Sequence, residues 1–260
     1  MNGQNAPENA ESLVLMSKRI NLDKEIVSAL NDGDMEKIKA YLGDKGDISE
    51  FTVALGYAKD AEVLDFVLKN ANIDYEQEIW AGLINRYSVA LSEADKKNEK
   101  EAAHNKYLAM AKVLMQNNVE PRFVDLLSPF NALQRAANAK LTKLAIYLIE
   151  ECGADVNAVP YNSFTLEQRI EHYKTKRHFV GIDDEEDNLP SDEILQEETW
   201  ASPLIYACKN KDAELCKYLV EHGADVNYVQ RWNFQGEWYE TTAIKEAGKS
   251  RKILEILKTR

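Results

Sequence analysis

Cys152-Gly153-Ala154-Asp155-Val156-Asn157 and His222-Gly223-Ala224-Asp225-Val226-Asn227 share five of their six residues. The likeness continues upstream of both. Leu133, Ala136, Ala137, Leu144, Tyr147 and Leu148 align with Leu204, Ala207, Cys208, Leu215, Tyr218 and Leu219, every pair 71 positions apart. Six matches at one offset mark an internal repeat, and a repeat constrains the fold before any other feature does. In each copy apolar residues fall twice in succession at the i, i+3, i+4 spacing of a short helix. Lys209-Asn210-Lys211-Asp212 reads as the turn between the two helices. Gly153 and Gly223 stand just past the second helix, where a left-handed residue ends it. Ala136 and Ala207 are small where the helices must approach closely. One such pair cannot bury its apolar face alone, so it needs neighbours stacked on both sides.

Ser202-Pro203-Leu204-Ile205-Tyr206-Ala207 resembles the ankyrin signature T-P-L-H-x-A, and Gly-Ala-Asp-Val-Asn resembles the closing turn of that repeat. Ile205 replaces the signature His, and Asn131-Ala132 replaces Thr-Pro in the earlier copy; both departures are expected to weaken local hydrogen bonding. The resemblance implies an all-α fold, an ankyrin-repeat solenoid of stacked helix-turn-helix units joined by short hairpin-like loops. An ankyrin unit has 33 residues, and the offset of 71 exceeds it by 38, the length of segment 161–198. Six repeats are expected, at 20–48, 49–78, 79–122, 123–160, 199–228 and 241–260, with an inserted segment at 161–198 and a hairpin finger at 229–240. The last repeat is short and polar outside, as a C-terminal cap should be. The third has longer helices, about 79–94 and 99–117, although its charged stretch from Glu93 to Lys106 also suits a flexible loop. Residues 1–19 read as a disordered leader.

The chain of 260 residues carries a net charge of −12. Phosphate backbones and anionic membrane surfaces repel such a chain, so neither nucleic acid nor membrane is an expected partner. A basic protein is the electrostatic complement. Three cysteines suit a reducing cytoplasm better than a disulfide framework. Cys208 and Cys216 occupy core positions, and buried cysteines behave mainly as small apolar residues.

Two segments break the repeat. Segment 161–198 holds eleven acids and four bases, which accounts for −7 of the total charge. It reads either as a solvated loop or as an arm that docks on a basic partner, with Asp183, Asp184, Glu185, Glu186 and Asp187 as the docking acids. A helix over about 165–178 is expected within it. Segment 229–240 is Val-Gln-Arg-Trp-Asn-Phe-Gln-Gly-Glu-Trp-Tyr-Glu. A two-residue turn at Gln235-Gly236 pairs Trp232 with Tyr239 and Arg231 with Glu240. Trp232, Phe234 and Tyr239 then share one face, with Trp238 on the other. Arg231, Trp232, Phe234, Trp238 and Tyr239 are candidate partner-binding residues, since aromatics and Arg anchor interfaces. The alternative is that these rings fold down to shield the neighbouring repeats. Tyr206 holds the variable position of the signature, which in similar proteins faces the partner; a buried role is its alternative.

No phosphate-binding, dinucleotide or nucleophile-elbow motif is present in the sequence. The four histidines form no known ligand spacing. A surface metal site around His172 and His178 is conceivable, but a charged loop is the simpler account. His222 precedes Gly223 and is expected to cap its helix. The expected function is protein binding without catalysis, cofactor or metal. An inhibitor or immunity-type protein that masks a basic partner fits best, as a monomer. A scaffold or effector that captures another protein, or an element that self-assembles through the finger, are the alternatives.

Overall fold

The computed structural model describes residues 24–45, 54–71, 77–121, 130–179 and 189–259. The leader 1–19 and the acidic run Asp183 to Asp187 lie outside the described residues. The chain divides into two compact units, 1–120 and 121–260.

Unit 1 contains α1 (Lys24–Asp32), α2 (Met35–Lys45), a single 3-10 turn at 54–57, α3 (Ala61–Asn70), α4 (Gln77–Glu93) and α5 (Lys97–Gln116). α1 packs on α2, α2 on α3, α3 on α5 and α4 on α5. Ile26, Ala29, Leu30, Ile38, Leu64 and Leu83 form the buried stripe expected of amphipathic helices. Gly33, at φ +69°, ends α1, and the Asp34 N–H returns to the Ala29 carbonyl at 2.9 Å. The charged stretch from Glu93 to Lys106 is helical except at 94–96, which join α4 to α5. The Glu99 side chain fastens the entry to α5 by accepting from the Asp95 N–H at 3.0 Å and the Lys96 N–H at 3.1 Å. Gly56 and Gly82 meet so closely that a Cβ on Gly56 would lie 2.4 Å from the Gly82 carbonyl carbon.

Unit 2 contains three helix pairs: α6 (Ala132–Asn138) with α7 (Thr142–Glu150), α10 (Pro203–Lys209) with α11 (Ala213–Glu221), and α12 (Ala243–Ala247) with α13 (Arg251–Leu257). Between the first two lie a 3-10 turn (Pro160–Ser163), α8 (Leu166–Phe179) and α9 (Asp192–Glu197). Between the last two lies a hairpin of β1 (Val229–Phe234) and β2 (Glu237–Thr242). First helices pack on first helices, α6 on α10 and α10 on α12; second helices do likewise, α7 on α11 and α11 on α13. Leu133, Ala136, Leu144, Leu204, Ala207 and Leu215 are fully buried between them.

The 71-residue offset persists in the backbone. Lys140 and Lys211, one in each inter-helix turn, both take φ +56°. The Leu141 N–H reaches back to Ala136 at 2.9 Å and the Asp212 N–H to Ala207 at 3.0 Å, which satisfies carbonyls at the ends of the first helices. Asn157 ties its own closing turn to the next one. Its side chain donates to the Gly223 carbonyl at 3.0 Å and accepts from the Asp225 N–H at 2.8 Å. Asn210 donates to the Ala137 and Asn138 carbonyls at 3.0 and 2.8 Å.

The expected weakening of hydrogen bonds at the altered signature positions does not occur at the earlier copy. Asn131 accepts from the Gln134 N–H at 2.8 Å, and the Gln134 side chain accepts from the Asn131 N–H at 3.3 Å, a complete capping box. Buried Gln134 also donates to the Ala201 carbonyl at 2.8 Å, linking this pair to the next. In the later copy Ser202 accepts from the Ile205 N–H at 3.3 Å.

The solvated-loop reading fails for the described parts of 161–198. Tyr161, Arg169, His172, Leu195 and Glu198 are all buried. Arg169 donates to the carbonyls of Leu195 (2.6 Å), Glu198 (2.8 Å), Phe164 (3.2 Å) and Asn162 (3.2 Å), and its guanidinium lies 4.7 Å from the Tyr161 ring centre. Such a buried cation is tolerable only when its donors are met. His172 is a core ring, packed edge-on to Tyr161, Tyr173 and Trp200 with ring centres 5.5 to 6.0 Å apart, so it cannot serve a surface metal site. Apolar rings and a buried cation order this segment where its composition alone suggests solvation.

Candidate protein-interaction surface

The β1–β2 ladder pairs Trp232 with Tyr239, Arg231 with Glu240, Asn233 with Trp238 and Phe234 with Glu237. This is the register that a two-residue turn demands. Gln235 and Gly236 both take positive φ, +53° and +85°, the pairing that matches strand twist in tight hairpins. The Asn233 side chain accepts from the Gly236 N–H at 3.1 Å and stiffens the turn.

The root of the hairpin is anchored by residues that sequence reasoning did not single out. Thr199 donates its N–H to the Arg231 carbonyl at 2.9 Å, and its hydroxyl accepts from the Arg231 N–H at 2.8 Å. The Glu198 carboxylate accepts from the Asn233 N–H at 3.2 Å with one oxygen and from the Tyr173 hydroxyl at 2.8 Å with the other. Beneath this runs a ring cluster. Trp200 stacks on Tyr161 at 4.8 Å and meets Phe130 at 4.7 Å, and the Tyr228 hydroxyl donates to the Trp200 carbonyl at 2.7 Å. Burial pushes the Tyr161 phenol up to about 12, with the Glu198 carboxylate adding to the shift. No local pattern marks Glu198 or Thr199, because their role depends on a strand that lies some thirty residues later.

Above the anchored root the candidate side chains divide. Phe234 is 59% exposed, Tyr239 40% and Trp238 37%. Trp232 is half-buried and stacks on Tyr239 at 5.8 Å. Arg231 pairs with Glu240 at 2.8 Å and lies 5.6 Å from the Trp238 ring centre, on the face opposite Trp232. The rings at the tip therefore do not fold down over the repeats. A shallow cavity of about 400 Å³ is lined by Trp232, Trp238, Tyr239, Glu240, Lys245 and Glu246. Tyr206 stands apart from the hairpin group. It is half-buried beside Phe130, with ring centres 6.1 Å apart, and burial pushes its phenol up to about 12.

Residues 200–231 match the family model of the ankyrin repeat. The chain contains an ankyrin repeat. The matched repeat spans α10, α11 and the start of β1, so Arg231 closes it and the exposed rings of the hairpin lie just beyond. No curated protein matches the chain. Ankyrin repeats are protein–protein interaction modules and in general not enzymes. Among the described residues no helix is long and apolar enough to cross a membrane.

Proposed function

We propose that this protein binds and masks a basic protein partner, as an inhibitor or immunity-type protein does, and that the stacked helix pairs form a solenoid carrying the hairpin as its main contact. The observation that supports this reading is the presentation of Phe234, Trp238 and Tyr239 to solvent on a hairpin whose root is held by Thr199 and Glu198. Rigid, exposed aromatic anchors lose little entropy on binding. The net charge of −12 favours a basic partner. Tyr206 and the acids 183–187 are secondary contacts in this reading. Free thiols at Cys152, Cys208 and Cys216 suit a reducing cytoplasm.

The test begins with a tagged chain, a salt-step elution and mass spectrometry of what is released. Affinity is then measured for a variant with Phe234, Trp238 and Tyr239 all changed to Ser. The three anchors together are expected to contribute about 3 kcal/mol or more, so binding falls at least about 100-fold while the melting temperature holds. The association rate should fall steeply with salt. Wild-type affinity in the variant, or a loss of stability parallel to the loss of binding, would refute the proposal. A mass by light scattering that grows with concentration would favour self-assembly.

A further inference from the structure

We infer that the outer edge of β2 is a strand-addition site for an extended basic segment of the partner, an inference that rests on the function proposed above. The two edges of the hairpin differ. Along β1, the Val229 carbonyl accepts from the Thr199 hydroxyl at 3.1 Å, the Arg231 N–H and carbonyl both bond to Thr199, and the Asn233 N–H bonds to Glu198. These three positions therefore point away from β2. In an antiparallel ladder hydrogen-bonded and non-hydrogen-bonded pairs alternate, so their partners Glu240 and Trp238 must also point outward, on the far side of β2. The Glu240 carbonyl does so, accepting from the Lys245 ammonium at 2.8 Å. The Trp238 N–H and carbonyl and the Glu240 N–H complete that edge, and no described residue hydrogen-bonds to them. One edge is closed by the chain's own residues; on the other only the Glu240 carbonyl is taken, by Lys245, and the Trp238 N–H and carbonyl and the Glu240 N–H stay open to a strand.

Exposed strand edges are templates for another strand. Charge selects the occupant. Glu237 and Glu240 lie exposed along β2, and Glu246, held by the Thr241 hydroxyl at 2.7 Å, lines the adjoining cavity; Lys245 is the one cation among the lining residues. A second copy of β2 would bring Glu237 and Glu240 of both strands to one seam, which is unfavourable across a sheet. A segment with Lys or Arg at alternate positions sets its cations on one face, where they meet Glu240 beside Trp238 in one register and Glu237 beside Tyr239 in the other. Arg231 over Trp238 shows that this ring already takes a cation on one face.

The full chain, labelled with nitrogen-15, permits a direct test by amide hydrogen exchange. Without ligand, Trp238 and Glu240 should exchange rapidly while Tyr239, bonded inward to Trp232, is protected. The probe is acetyl-Arg-Thr-Arg-Thr-Arg-Thr-amide at millimolar concentration. It should slow exchange at Trp238 and Glu240 by about fivefold or more, the loss expected for one net backbone bond. The same peptide with alternate backbone nitrogens methylated should have no effect, nor should its Glu-Thr counterpart. Unchanged exchange, equal slowing by the methylated peptide, or protection that appears without peptide as protein concentration rises would each overturn the inference. Lost partner binding in the aromatic variant without edge protection removes strand addition and keeps the hairpin as binding surface. Edge protection with undiminished partner binding in that variant removes the function proposed for the rings and keeps the edge.

Discussion

Replacing Arg169 with Met tests whether the inserted segment is part of the core of unit 2. The substitution keeps most of the stem volume and removes the guanidinium, whose four hydrogen bonds run to carbonyls from Asn162 to Glu198. Each charge-assisted bond contributes about 1.5–3 kcal/mol. Burying the cation offsets several kcal/mol of that sum. What remains, together with carbonyls left short of donors in the interior, points to a net loss of about 3–5 kcal/mol. For a unit of this size that lowers the melting temperature by about 12–20 °C, at about 4 °C per kcal/mol. Urea and thermal unfolding of the full chain, followed by Trp fluorescence, measures the loss. Peptide-level hydrogen exchange across 161–175 locates it. Arg169→Lys should fall between, since one ammonium cannot reach four carbonyls. A loss below about 1 kcal/mol with protection of α8 retained would refute the reasoning.

Gly56→Ala should destabilise unit 1 by about 1–3 kcal/mol, because its Cβ would strike the Gly82 backbone; Gly43→Ala, with nothing within 4 Å and a helical position, should instead be neutral or stabilise by up to about 1 kcal/mol, both read from urea midpoints. Thiol titration with a disulfide reagent should show one accessible thiol, Cys152, while Cys208 and Cys216, buried with their sulfurs 3.4 Å apart and the Cys216 thiol pushed up by its neighbour and by burial, react only on unfolding. Tyr161 and Tyr206 have phenols raised in the folded state to about 12, so their contribution to stability is complete below the ordinary tyrosine value of about 10 and is lost as pH rises towards 12; ultraviolet titration should show this late class, and Tyr206→Phe should remove part of it.

The helix pairs around Leu133 and Leu204 were legible because their signals are local: spacing of apolar residues, a glycine after each second helix, and a turn between. The hairpin register was legible for the same reason, since Gln235-Gly236 constrains which residues face each other. The insertion was not. Arg169 sits in a stretch dense with charge, and a charged residue there reads as solvated until the carbonyls that surround it are brought in from Leu195 and Glu198. His172 was misleading in the same way, being a polar residue among acids in the chain and a ring among rings in space. Asn131 stands where the signature has Thr, yet it completes a capping box with Gln134 that a simple match of residue types does not anticipate. At the candidate surface, the exposed rings could be named from composition, but the residues that hold them upright, Thr199 and Glu198, could not. Their partners are set by tertiary pairing and leave no periodic trace.

Glu198 has a mechanical consequence. One of its oxygens holds β1 through Asn233, and the other holds α8 through Tyr173. A pull on the hairpin tip is therefore also a pull on the helix of the insertion, carried by a carboxylate that works as a rivet between two plates, beside the bonds of Thr199 to Arg231 and of Arg169 to the Glu198 carbonyl. A ligand that twists the strands would slacken or tighten that rivet, and the Tyr173 hydroxyl, far from the tip in sequence, would register the strain.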